Sequence, residues 1–436
     1  MEFISTRGVS TPVPLRDAVF QGLASDGGLF MPLTLPSFDV DTLTGMQGES
    51  WPELAFRVLG AFLEGSLADK TVTALVGETL NFPVPLVQLS ERIHVLELFH
   101  GPTLAFKDVG ARFMASLLAH YRDPEGPTMT VLTATSGDTG GAVAKALHGL
   151  ENVRVVVLFP DGRVTPRQER QFSTLGGNVL ALAVKGDFDD CQRLAKEAFR
   201  ADRGTGAKTG SLTSANSINV ARFLPQTTYF FKAWRDFEAC RSNRTRILFS
   251  VPSGNFGNLA AGMTAKAAGM PGASFLAATN ANDVVPEYLH TGVFSPRPSV
   301  TTVSTAMDVG NPSNLDRILH LYGKDMDSLA QDLVGQRVTD EETLSCIRRT
   351  YRDTGYVLDP HTAVGLAALE KRMEPRSDQT GIVLATAHPA KFAGVVEPAI
   401  GTEMPIPPEL AGCLEGKRQV TPIEPRLEAL QEILEA

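Results

Sequence analysis

From about residue 91 onward, short β-branched or apolar runs alternate with helical stretches, and glycine-bearing turns join several of them. Thr128–Ala134 reads as a strand, TSGDTGG follows it, and AVAKALHGL then carries a helical pattern. Val153–Phe159 and Asn178–Val184 read as two further strands, the second followed by a helix over Phe188–Arg200. Arg246–Val251 leads through PSGNFGN into the small-residue helix LAAGMTAKAAGM, and Ser274–Thr279 and Gly381–Thr386 add two more strands. Strands separated by helices predict parallel sheets covered on both faces, an α/β architecture. Ligands in such sheets sit at the carboxyl ends of strands, where turns meet helix N-termini. TSGDTGG and PSGNFGN occupy that position.

The first eighty or so residues differ. Pro14 opens a predicted helix through Leu15–Leu23 that SDGG stops, and Trp51–Leu63 repeats apolar residues at helical spacing. NFPVPLVQL, with two prolines, reads as an extended crossing into the next unit. The predicted division is a mainly helical N-terminal unit over 1–90 and a catalytic region over 91–436. Within that region a smaller domain covers about 110–235 and a larger one the remainder. Thr339 and Glu342 form a capping-box pattern for a helix through Tyr351.

Composition narrows the function classes. A formal charge of −9 lacks the basic balance of a nucleic-acid binder. No apolar run approaches the length of a membrane span, and MEFISTRGVSTPVP lacks the order of a secretory signal, so a cytoplasmic protein is expected. Cys191, Cys240, Cys346 and Cys413 are scattered without a CxxC pair and read as reduced thiols. No HExxH motif or other histidine ligand spacing points to a metal.

PSGNFGN has neither the GK[ST] ending of a P-loop nor a GxGxxG fingerprint. Gly254 and Gly257 are expected to take unusual dihedrals and to let the backbone approach a ligand closely. The free amides that open the next helix then suit a phosphate that stays bound; the alternative is a plain strand-to-helix turn. In TSGDTGG, Ser136 and Thr139 are candidate holders of an anionic substrate. Asp138 either shares a proton with a phenolic oxygen or caps the helix, and local sequence favours the cap. In SLTSANSINVARFLPQTTYFF, Asn216, Ser217, Asn219 and Arg222 are phosphate candidates, and a structural salt bridge is the other reading for Arg222. The aromatics Phe223, Tyr229, Phe230 and Phe231 read as helix core. Thr386 ends a strand where its hydroxyl can meet a ring nitrogen, and His361 either caps a helix or acts in catalysis. Lys107, in HGPTLAFKDVG, is either a surface charge or an amine held in a dry cleft, and Lys391 is its rival as the reactive amine. A bound phosphate, a ring-nitrogen partner and a lysine among apolar neighbours together suggest pyridoxal 5'-phosphate, which needs an amine for its Schiff base.

These motifs resemble those of the threonine synthase family, in its longer bacterial and fungal type. STRG, QGLASDGGLFMP, HGPTLAFKD, ATSGDTGG, SLTSANSINVARFLPQ, PSGNFGN, GNPSN, LDPHTAVG and ATAHPAKF occur in family order over nearly the whole chain. The resemblance implies a fold-type II pyridoxal-phosphate enzyme, similar to the β subunit of tryptophan synthase, with an added N-terminal domain. It implies a carbon–oxygen lyase acting on a phosphate, converting O-phospho-L-homoserine and water into L-threonine and phosphate. Lys107 matches the lysine that carries the cofactor. Gly254, Asn255, Phe256, Gly257 and Asn258 match the loop for the cofactor phosphate, and Thr386 matches the residue facing the pyridine nitrogen. Asp138 stands where shorter members carry an asparagine near the phenolic oxygen. Asn216, Ser217 and Arg222, helped by Ser136 and Thr139, match the substrate-phosphate site. The expected partner is this small molecule, with neither nucleic acid nor membrane, and the chain is expected to be a monomer or homodimer. Two rivals are a dehydratase or lyase of the same fold that stops after elimination, and a non-catalytic metabolite sensor.

Overall fold

A computed structural model describes residues 1–123, 125–205, 212–238, 246–373 and 379–435 of the chain; Cys240 lies outside them. Two sheets build the catalytic region. The six-stranded sheet runs Leu333–Arg337, Ala273–Thr279, Ile247–Pro252, Thr380–Ala385, Ile93–Glu97, Leu86–Gln88. The five-stranded sheet runs Thr421–Ile423, Val179–Val184, Val153–Pro160, Met129–Ala134, Leu212–Ser214. Every neighbouring pair in both sheets is parallel except Leu86–Gln88 with Ile93–Glu97. Met129–Ala134, Ile247–Pro252 and Thr380–Ala385 are buried at every residue. Such continuous burial is what helices on both faces of a parallel sheet produce.

The sequence-predicted strands all form, with boundaries shifted by a residue or so. The short strands Leu333–Arg337 and Thr421–Ile423 sit at sheet edges, and Leu212–Ser214 lies inside a segment read for its polar side chains. Thr421–Ile423 crosses the expected division of the catalytic region. The C-terminal segment was assigned to the larger domain, yet it returns to pair with Val179–Val184 of the smaller sheet. That pairing covers a strand edge whose N–H and C=O groups would otherwise be open. Residues 81–89, expected as an extended crossing, already enter the larger sheet at Leu86–Gln88.

Residues 1–80 carry helices and also a three-stranded antiparallel sheet, with Glu2–Ser5 between Val13–Pro14 and Phe30–Pro32. Pro14, expected to open the first helix, stands at the N-cap of Leu15–Gln21, which ends two residues short of Leu23. Trp51–Phe62 is closed by a capping box between Ser50 and Glu53 and buries Trp51, Leu54, Ala55, Val58, Leu59 and Phe62. Losing such a cap costs about 1 kcal/mol. Arg317 ties this portion to the catalytic region: it is fully buried and donates to the carbonyls of Phe30, Ser217 and Ile218. No helix among the described residues is long and apolar enough to cross a membrane.

Candidate active site

TSGDTGG follows Met129–Ala134, PSGNFGN follows Ile247–Pro252, Thr386 follows Thr380–Ala385, and Asn216 comes two residues after Leu212–Ser214. The carboxyl ends of strands from both sheets therefore face one cavity of about 100 Å³. Lys107, Ser136, Asp138, Thr139, Asn216, Ser217, Arg222, Thr386 and the whole run Gly254–Asn258 line it.

Lys107 opens the helix Lys107–Tyr121. The segment before it is pinned to the end of strand Thr380–Ala385, because Phe106 N donates to Thr386 O at 2.9 Å and His388 N donates to Leu104 O at 3.0 Å. This pairing explains why residues far apart in sequence put Lys107 and Thr386 on the same wall. The Lys107 side chain is 17% exposed, and its Nζ lies 4.0 Å from Asp138 Oδ2. Burial lowers its pKa from 10.5 to about 8; Asp138 opposes the shift, while Arg222 and Lys391 add to it. Asp108, the residue behind it, is buried and does not face the cavity chemistry. It accepts from Thr103 N at 2.8 Å and Thr103 Oγ1 at 2.7 Å, closing the loop ahead of the helix.

The glycine loop departs from expectation in one respect. Neither Gly254 nor Gly257 has a positive φ; the left-handed residue is Phe256, at φ 63°. The glycines serve close approach instead. A Cβ on Gly254 would lie 2.7 Å from Met307 Cα, and one on Gly257 would lie 3.2 Å from Ser217 Cβ. Ala260 N makes the bond to Phe256 O at 2.9 Å, so the N–H groups of Gly257 and Asn258 precede the first helical bond, and both residues line the cavity. A helix start of this kind carries partial positive charge and bare donors. Asn255 Nδ2 donates to Ser217 Oγ at 2.8 Å, and its Oδ1 accepts from Ser313 N at 2.7 Å, so that side chain braces the loop.

Asp138 is not the helix cap that local sequence favoured. Thr135 Oγ1 takes that role, accepting from Gly137 N at 2.9 Å and Gly140 N at 2.8 Å. The Asp138 carboxylate accepts from Gln168 Nε2 at 2.8 Å and pairs with Lys391 Nζ at 2.7 Å. Burial alone would push it up, but Lys391, Lys107 and Gln168 outweigh burial and hold it well below the usual carboxylate range. His361 is also not a cap. Asp359 caps that helix, while His361 Nδ1 bonds Asp359 Oδ1 at 2.7 Å and Nε2 accepts from Ala306 N at 3.2 Å. Both ring nitrogens are therefore engaged.

Arg222 is 2% exposed, and among the described residues it makes no ion pair. Nη1 donates to Ala215 O at 2.7 Å and Nε has no partner, so the alternative of a structural salt bridge fails. Burial lowers its pKa to about 10. Asn216 Oδ1 accepts from Ala134 N at 3.2 Å and its Nδ2 donates to Ala134 O at 2.9 Å, leaving one Nδ2 hydrogen. Ser217 Oγ accepts from Asn255 and Asn314, leaving its own proton to donate. Asn219 caps the next helix and donates to Val19 O, so it is scaffold. Phe223, Tyr229, Phe230 and Phe231 are core. Gln168, Phe188, Gln192, Gln226 and the Ala306–Met307 wall were not legible beforehand, because no local pattern distinguishes them from ordinary helix or turn residues.

The donor set fits pyridoxal phosphate. An amine of depressed pKa, a loop of backbone amides with no room for a Cβ at Gly254, a strand-end hydroxyl and an unpaired buried guanidinium share one cavity.

Residues 74–386 match the family described as pyridoxal-phosphate dependent enzyme, residues 2–80 match threonine synthase N terminus, and residues 362–434 match threonine synthase, C-terminal. Threonine synthase of Haemophilus influenzae is 44% identical over 398 residues, covering 91% of each chain. That of Escherichia coli is 42% identical over 411 residues, covering 94% of each. The crystal structure of the Escherichia coli enzyme superposes with a TM-score of 0.93 at 40% identity, covering 100% of this chain and 99% of that one. A pyridoxal-phosphate-bound threonine synthase from Brucella melitensis gives 0.89 at 35% identity, again over 100% and 99%. Motifs, fold and cavity thus agree with the comparisons, and this chain belongs to the threonine synthase family of pyridoxal-phosphate-dependent lyases.

Proposed function

We propose that the cavity converts O-phospho-L-homoserine and water into L-threonine and phosphate, the last step of threonine biosynthesis, with Lys107 as its reactive amine. The observation that carries this reading is the joint presence in one cavity of the Lys107 amine, the Gly254–Asn258 amides and the unpaired Arg222 guanidinium. Pyridoxal phosphate, when bound, supplies an aldehyde that condenses with amines and a ring that accepts electrons from the substrate's α carbon. Lys107 would carry it, the Gly254–Asn258 amides would hold its phosphate, Thr386 would face its ring nitrogen and Asp138 its phenolic oxygen.

The chain's own residues then have distinct tasks. Arg222 lines the cavity with its Nε donor uncommitted, and with Ser217 Oγ–H, the remaining Asn216 hydrogen and the hydroxyls of Ser136 and Thr139 it would bind the substrate phosphate. A charge-assisted contact of this kind suits a group that must be held and later released as an anion. The Lys107 amine, neutral in about half the molecules near pH 8, can take the α proton and return protons at neighbouring carbons. Using one positioned base for successive transfers draws its rate from proximity. His361 is locked by Asp359 and Ala306, which supports a structural part for it and leaves Lys107 as the proton carrier. A cytoplasmic location, supported by the free thiols Cys191, Cys346 and Cys413, and a monomer or homodimer complete the reading.

The test supplies the purified chain with cofactor and O-phospho-L-homoserine and follows both organic product and phosphate. Threonine and phosphate in equal amounts, lost in Lys107→Ala, are expected. Formation of 2-oxobutanoate without threonine would point to a lyase that stops after elimination.

A further inference from the structure

Lys391, the rival amine in the sequence, is fully buried and committed on two sides. Its Nζ lies 2.7 Å from Asp138 Oδ1 and donates to Thr103 O at 2.7 Å. Thr103 is in turn held by Asp108, the residue after Lys107, and Gln171 Nε2 donates to the same Thr103 carbonyl at 3.0 Å. The contacts close a ring. Starting at Asp108 on the Lys107 helix, they pass through Thr103, Lys391 and Asp138 and end at Lys107 Nζ, 4.0 Å from Asp138 Oδ2.

This arrangement answers a chemical problem. A buried carboxylate beside a single buried lysine would pair with it directly and keep it as an ammonium, which is useless as a nucleophile or base. Here the carboxylate is engaged on Oδ1 by Lys391 and Gln168, so only the second oxygen faces Lys107, and at long range.

We propose that Lys391 is a positioning residue that supplies the countercharge for Asp138 and holds its carboxylate off Lys107, leaving Lys107 as the free amine. The inference rests on the reading of Lys107 as the reactive group. The charged groups acting on Lys107 agree with it: Asp138 and Asp359 favour its ammonium, while Arg222 and Lys391 oppose it. The backbone also fixes Lys391 in place. Its own carbonyl accepts from Thr165 Oγ1, and the preceding Ala390 carbonyl accepts from Arg167 Nη1.

The experiment measures acetic anhydride labelling of Lys107 across pH in the full-length, cofactor-free chain, with peptide mass spectrometry as the readout. In Lys391→Met the carboxylate loses its partner and turns to Lys107, so labelling at pH 7.5 falls about tenfold and its midpoint moves up. Asp138→Asn moves the midpoint down, because the neighbouring cations then act alone. Lys391→Met/Asp138→Asn returns it toward wild type, an outcome that a packing defect would not produce. Should Lys391→Met fail to fold, Asp138→Asn still decides, since an unchanged or raised midpoint overturns the proposal. Single variants that label like wild type overturn it as well. If the wild-type enzyme meanwhile makes threonine, the functional reading stands and only the role of Lys391 falls.

Discussion

Gly254→Ala is the sharpest test of the glycine loop. The added Cβ would sit 2.7 Å from Met307 Cα and 2.8 Å from Ala306 O, short of the 3.4 Å at which ordinary contact begins. Both neighbours are backbone, so no side chain can rotate away. The opposing turn is anchored: Ala306 N donates to His361 Nε2, Met307 N donates to Ser304 O, and Ser304 Oγ accepts from Asn280. The Gly254–Asn258 loop must therefore yield. Overpacking of this size costs about 1–3 kcal/mol. If displacement of the loop amides carries that cost into cofactor binding, the dissociation constant for pyridoxal phosphate rises roughly 5- to 150-fold. Fluorescence titration of the cofactor-free chain reads it, and thermal melting separates affinity from folding. Gly412→Ala, within helix Pro408–Glu415 and with nothing within 4 Å, is the control and should be neutral or slightly stabilising. Wild-type cofactor affinity and melting temperature in Gly254→Ala would refute the argument.

Arg222→Ala should raise the Michaelis constant for O-phospho-L-homoserine roughly 10- to 100-fold, as expected for losing charge-assisted bonds, with far less effect on cofactor titration. An unchanged Michaelis constant would remove Arg222 from the phosphate site. The buried amine of Lys107 also links stability to pH in the cofactor-free chain. Its folded pKa, about 8, lies below the 10.5 of a solvated lysine, so between these values the unfolded chain binds more protons. Stability contributed by this site is lowest below pH 8 and rises by about 3 kcal/mol as pH passes toward 10.5. Urea unfolding of wild type and Lys107→Met at pH 7.5 and 9.5 should show the variant with the flatter dependence; parallel curves would contradict the assignment.

Much of the site was legible because its parts are written in local chemistry. A β-branched run, a glycine turn and a small-residue helix specify a strand end with bare amides wherever they occur, and Thr339 with Glu342 caps its helix as the spacing requires. Where the reading slipped, a distant partner had decided the matter. Asp138 looked like a cap because it opens a helix, but Thr135 is closer to the bare N–H groups and a lysine 253 residues later draws the carboxylate away. Gly254 and Gly257 looked like dihedral specialists, yet Phe256 takes the left-handed turn, because the glycines are needed where Met307 and Ser217 approach. The edge strand Thr421–Ile423 carries no signal beyond three residues, and only the open side of Val179–Val184 explains it.

By itself the sequence determined the sheet class, the turns that line the cavity and the family, since periodicity, glycine placement and capping act over a few residues. Only the tertiary structure separates the two candidate lysines. Lys391 and Lys107 are the same amine chemically. Pairing at 2.7 Å with Asp138 commits the first, while burial at 4.0 Å from the same carboxylate lowers the pKa of the second. That difference comes from charges and desolvation gathered across the fold, which no local stretch of residues encodes.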